Sequence, residues 1–262
     1  MFSRKEAKYL FITILVMTLA LGFNDGQPSF DLNYWMGNLV GIFLIVAFSF
    51  LIHQIAHKLT ARSFHFDTHF KWWGVEYLSP KRGIAKYKKD FPKRVSFFGK
   101  KFVIETLPIG IIISLIVMIF SNGHLFFLAI GEYTLVLRRK ARFGKKYVHI
   151  RDYDDAMIAL SGPMSHVFLM FVAAIFNNNG IFDTFIFINS LLALFYMIPI
   201  HNLDGAKVLF GSRLLYLSSV IFIVSVTVMI YTLSVIPLLI VAGLITFLVG
   251  SLYYYQTIYK SK

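Results

Sequence analysis

Long apolar runs without charge constrain this chain more than any other feature. The stretch WMGNLVGIFLIVAFSFLI, residues 35–52, contains no acidic or basic side chain. Several such runs are long enough to cross a hydrocarbon core of about 30 Å. Composition agrees: the 262 residues are 57% hydrophobic and 15% charged, with a mean hydropathy of +0.68, too apolar for a soluble domain. The expected fold class is an all-α polytopic membrane protein of about six to eight transmembrane segments with a small β-containing cytosolic insert. The chain has no cysteine, so a transition metal would have to be held by histidine, carboxylate or water. The first apolar segment is read as a retained anchor, because no small-residue cleavage site follows VMTLALGFNDGQP.

A net charge of +13 would suit nucleic acid, but its distribution argues for a membrane. Of the 26 basic residues, three lie in 1–8, twelve in 58–101 and seven in 138–151, while 24–34, 121–124, 177–183 and 233–236 hold none. Alternation of basic clusters with empty loops is the pattern of the positive-inside rule. The basic loops are therefore expected in the cytosol, touching anionic lipid, and no nucleic-acid partner is expected. The expected location is a prokaryotic cell membrane, crossed several times, with both termini inside.

This places one integral membrane domain over 1–262. An anchor and external loop occupy 1–34, a core occupies 35–210, and a terminal hairpin occupies 211–262. Segment 9–23 runs outward and 35–58 returns. Residues 59–101 form a basic, aromatic cytosolic insert in which FHFDTHFKWWGVEYLS alternates like a strand. Segment 103–120 is apolar but carries Glu105 and Pro108. Residues 125–137 fit either a short span or a membrane-associated strand. Segment 156–176 runs out, NNNG turns, 181–199 returns, and HNLDGAK lies at the cytosolic side. Segments 213–233 and 235–257 form a last hairpin, interrupted by Pro237.

His53 and His57 sit four apart near the inner end of a returning segment. On a helix that spacing puts two imidazoles on one face, where they can share a zinc ion. Polar groups at membrane depth are costly and default to function. Asp204, in PIHNLDGAK, reaches the same side from a different segment. Asp-Gly is also ordinary turn chemistry, but beside the histidine pair the carboxylate becomes a candidate third ligand. A second group, His65, Asp67 and His69, shares one face of the strand-like insert. It is read as a solvated face, with metal binding as the alternative.

Together these motifs resemble the site-2 protease family of intramembrane zinc metalloproteases. That family carries HExxH in one transmembrane helix and an LDG-type aspartate in a later one. The corresponding stretches here are HQIAH, 53–57, and NLDG, 202–205. SGPMSH, 161–166, is similar to the family's Gly-Pro motif, and NSLLALFYMIPIHNLDG, 189–205, to its run into LDG. The resemblance covers about 35–210. It implies Zn2+ held by His53, His57 and Asp204, cleavage of transmembrane segments of membrane-protein substrates, and an edge strand that holds substrate extended, for which 64–79 is the candidate.

Departures accompany the likeness. Gln54 stands at the position of the family's general base, and an amide cannot accept a proton from water. His201 and Asn202 stand where prolines are frequent, and His166 and Tyr196 where asparagines are. His201 is read as a loop residue, with an extra ligand or proton shuttle as the alternative. Glu105 is the candidate for a replacement base. The resemblance thus predicts a zinc-loaded, substrate-competent site impaired in hydrolysis. The alternatives are a pseudoprotease that binds membrane segments without cutting them and a metal transporter, which would favour spread intramembrane acids and an internal repeat.

Overall fold

A computed structural model of the chain describes residues 2–75, 93–97, 100–104, 106–138 and 150–259. Eight α-helices and four short strands lie among them. Helix α1, Arg4–Gly22, opens with a capping box in which Ser3 and Glu6 satisfy each other's backbone N–H groups. Helix α2, Leu32–Ser63, starts at Asp31, whose carboxylate accepts from the N–H groups of Asn33 and Tyr34. At 1.5 Å per residue α2 is about 48 Å long, well over the ~30 Å of a hydrocarbon core. The helix therefore continues past 58, through the first residues of the expected insert, to Ser63.

Strand β1, Phe66–Trp72, follows directly, as the alternation in the insert predicts. Strands β2, Lys93–Phe97, and β3, Lys100–Ile104, form a separate antiparallel pair. Among the described residues of the apolar segment 103–120, only Ile109–Phe120 is helical, as α3. Pro108, which would remove a hydrogen bond from a helix interior, occupies its N-cap. Twelve residues reach about 18 Å, too short to cross the core alone. The turn after α3 meets the end of α1, where the Asn24 amide lies 3.2 Å from His124 Nε2.

The stretch 125–137, ambiguous in sequence, is not a helical span. Its first part returns extended through the interior, with Leu128, Ala129 and Ile130 fully buried. Even inside a bilayer, non-helical backbone is tolerated where protein covers it. It then becomes β4, Gly131–Leu137, which pairs antiparallel with β1 from Phe66↔Leu137 to Trp72↔Gly131.

The remaining helices are α4, Asp152–Ile175, α5, Asp183–Tyr196, α6, Asp204–Gly211, α7, Arg213–Met229, and α8, Val235–Tyr254. Among the described residues three helical stretches are long and apolar enough to cross a membrane: Leu32–Ser63, Asp152–Ile175 and Val235–Thr257. One apolar core joins α1, α2, α5 and the 128–130 stretch through Met17, Val46, Phe50, Leu128, Ile130 and Leu192. A second joins α4, α5, α7 and α8 through Met170, Ala193, Val226 and Leu238. A third, with Ala61, Phe66, Tyr133, Ile158 and Val208, seats the β1–β4 sheet on the ends of α2, α4 and α6.

Candidate metal centre

His53 and His57 project from one face of α2, as their spacing requires. Asp204 is the first residue of α6. Asn202, at φ +66°, makes the left-handed step that turns the chain into this helix, a conformation asparagine tolerates better than most residues. Gly205 allows the start of α6 to lie against the end of α5, since a Cβ there would come within 2.3 Å of the Met197 carbonyl.

The result is a buried triad with 0%, 1% and 2% exposure for His53, His57 and Asp204. Their three ligand atoms converge: His53 Nε2 to His57 Nε2 is 2.9 Å, and Asp204 Oδ2 lies 3.3 and 3.2 Å from those nitrogens. Ligands at the 2.0–2.1 Å typical of zinc subtend tetrahedral edges of about 3.3 Å. Two imidazole nitrogens and a carboxylate oxygen aimed at one another can share a cation between them. His57 Nδ1 lies 2.7 Å from the Ile158 carbonyl, which only accepts, so Nδ1 carries the proton and the Nε2 lone pair points inward. This triad can hold a metal ion.

Helix α4 closes the site through Gly162 of the Gly-Pro stretch. A Cβ at Gly162 would stand 2.5 Å from His57 Nε2 and 2.6 Å from His53 Nε2, in the space where these nitrogens meet. The need for glycine here is thus a matter of contact with the metal ligands, not of backbone conformation.

Other residues foreseen from sequence fall as follows. Gln54 is 4% exposed, and no described residue hydrogen-bonds its amide. Tyr196 packs its ring 4.4 Å from that of His53. His201 is exposed and uses its backbone carbonyl to accept from Trp73 Nε1 at 2.9 Å. The group His65, Asp67 and His69 does not assemble. His65 precedes β1 in a left-handed conformation, φ +68°, which removes it from the strand's alternation. Asp67 pairs instead with Arg62 and Arg138, each at 3.4 Å, and His69 lies 3.6 Å from Glu6. Glu105 lies outside the described residues.

Four further contributors had no role assigned from the sequence, His166 having been singled out only as a departure from the family pattern. His166 Nε2 is 3.0 Å from His53 Nδ1, and Asn189 follows at 2.9 Å from His166 Nδ1. The Tyr133 ring lies tilted 4.7 Å from that of His57, and its hydroxyl donates to Asp155 at 2.8 Å. Burial, with Asp155 beside it, pushes the Tyr133 phenol well above its usual range. Lys207, one turn after Asp204, lies 3.2 Å from the Tyr133 ring centre and donates to the Tyr133 carbonyl at 2.9 Å. Burial pulls this ammonium below the usual lysine range, partly offset by Asp155 and Asp204.

Compared with protein-family models, curated proteins and solved structures, the chain matches none.

Proposed function

We propose that this chain is an intramembrane zinc metalloprotease of the site-2 type, crossing the membrane about six to eight times and impaired as written by Gln54. The observation that carries the proposal is the buried convergence of His53, His57 and Asp204, from two separate elements, within a largely apolar helical bundle. Three protein ligands leave a fourth position for water or substrate, the signature of a catalytic rather than a structural zinc site. Bound zinc would supply Lewis-acid polarisation and acidify a coordinated water. The protein's own groups orient the ligands, exclude bulk water and, in an active form, move the proton at residue 54. Gln54 can donate or accept a hydrogen bond there but cannot take up a proton. Loss of that help typically costs about 10²–10⁴-fold.

The substrate edge moves from β1 to β4. Phe70 N–H and the Thr68 carbonyl point away from β4 and are occupied by Glu6 and Lys58. The edge of β1 opposite β4 is therefore closed. Pairing alternation then turns the backbone groups of Gly131, Tyr133, Leu135 and Leu137 outward from β4. Tyr133, on that edge, packs against His57, so an extended membrane-protein segment added to β4 would pass beside the candidate metal ligands. Lys207 covers the Tyr133 carbonyl and has to withdraw for such pairing.

Gln54 itself favours a second reading, a pseudoprotease that binds membrane segments without cutting them. A side-by-side assay of this chain and Gln54→Glu on membrane-anchored substrates, with zinc quantified in both, separates the two. The protease reading expects near-background cleavage by the chain as written. It expects at least about a hundredfold gain with glutamate at unchanged zinc content. An inactive, zinc-loaded Gln54→Glu protein across a panel of substrates supports the pseudoprotease. Vigorous zinc-dependent cleavage by the chain as written points to another base.

A further inference from the structure

We infer that His166 is a positioning residue, which holds His53 in the tautomer whose bare Nε2 faces the metal. The relay begins at a backbone carbonyl, three side chains away from the candidate metal position. Asn189 Nδ2 lies 2.9 Å from the Phe185 carbonyl, which can only accept, and 3.0 Å from Ser49 Oγ. The amide nitrogen must therefore face that way. Asn189 Oδ1 is left facing His166 Nδ1 at 2.9 Å, and an amide oxygen only accepts. His166 Nδ1 thus carries its proton. In a neutral imidazole the other nitrogen is then bare, so His166 Nε2 can only accept across the 3.0 Å to His53 Nδ1. His53 Nδ1 must donate, and its Nε2 lone pair turns towards His57 Nε2 and Asp204 Oδ2.

Each group in the relay leaves the next one a single role. Ser49, His53, His166 and Asn189 are essentially fully buried, so water offers no alternative partner. His53 thereby gains what His57 has directly from the Ile158 carbonyl: an acceptor on Nδ1 that orients the ring and raises the basicity of the ligating nitrogen. The two imidazoles are prepared for one metal by different means, one by a neighbouring backbone carbonyl and the other through two intervening side chains.

This inference rests on the metal-centre reading, and its test keeps the two apart. The first measurement is the nitrogen NMR signature of 15N-histidine in the purified parent chain, metal-free and zinc-loaded, with His166→Gln to assign the His166 signals. His166 is expected as the Nδ1–H tautomer in both states. An Nε2–H signature at His166 overturns the inference, whatever happens to zinc. The second is zinc affinity by chelator competition. His166→Leu, which leaves His53 Nδ1 without an acceptor, is expected to weaken binding about 10–100-fold. His166→Gln, which restores an acceptor for His53 and a donor for Asn189, is expected to recover most of the loss. Parent-like affinity in His166→Leu overturns the inference while leaving the metal centre intact. If the parent chain binds no zinc, the metal centre falls, and the tautomer measurement still decides the role of His166. It also decides should His166→Leu fail to fold.

Discussion

Gly162 brings α4 against the nitrogens of the candidate metal centre. A single methyl group there would be 2.5 Å from His57 Nε2, and the clash falls on rings held by their own Nδ1 hydrogen bonds. Gly162→Ala is therefore expected to lower zinc affinity by at least about tenfold, the low end of what disturbed outer-shell contacts cost. Its helix should be little affected, since alanine is the better helix former. Zinc titration against circular dichroism separates these effects, and unchanged affinity would mean that the rings have room to move. Replacing His53, His57 or Asp204 by alanine should remove most of the metal outright, because two protein ligands seldom hold zinc tightly. Full retention of zinc in His53→Ala and His57→Ala would end the assignment.

Between elements, the decisive contact is the buried pair of Glu6 and Lys58, 2.7 Å apart. It ties the first turn of α1 to α2, one residue beyond the candidate metal ligand His57. Through Phe70 N–H and the Thr68 carbonyl it also ties both helices to β1. A buried ion pair is weak evidence for net stability, but breaking one side leaves an uncompensated charge. Glu6→Gln or Lys58→Met alone is expected to cost about 3–5 kcal/mol, and the double variant less than the sum. Unfolding of all four proteins in the same detergent measures this; simple additivity would show that the two groups do not depend on each other. The singles should also loosen β1, and with it the β4 strand that places Tyr133 beside His57.

Across the whole molecule, the segregation of basic residues and the order of the helices make a single orientation testable. The absence of cysteine makes the test clean. The exposed positions Gln27, Ser63 and Ser234 lie in the loop before α2, at the end of α2 and between α7 and α8. Single cysteines at Gln27 and Ser234 are expected to react with an impermeant reagent only from outside the cell, and one at Ser63 only from inside. The reverse pattern would place the metal centre and the β1–β4 sheet on the external side and refute the positive-inside reading.

What sequence alone determines here is local or periodic. Uninterrupted apolar runs identify membrane helices because hydrocarbon thickness sets their length. The i, i+4 spacing puts His53 and His57 on one face because helix geometry leaves no other arrangement. The alternation in 66–72 shows as strand for the same reason. Asp204 was legible through its place on the same side as the histidine pair and its likeness to a family motif, since an Asp-Gly pair in isolation is turn chemistry. Tertiary structure decided the rest. Residues 125–137 could be placed only once β1 supplied hydrogen-bond partners for β4. His65, Asp67 and His69 were separated by one left-handed residue and by competing arginines. The parts played by His166, Asn189, Tyr133 and Lys207 come from contacts between elements far apart in the chain. Such contacts leave no period to read, because a hydrogen bond depends on distance in space rather than on spacing in sequence.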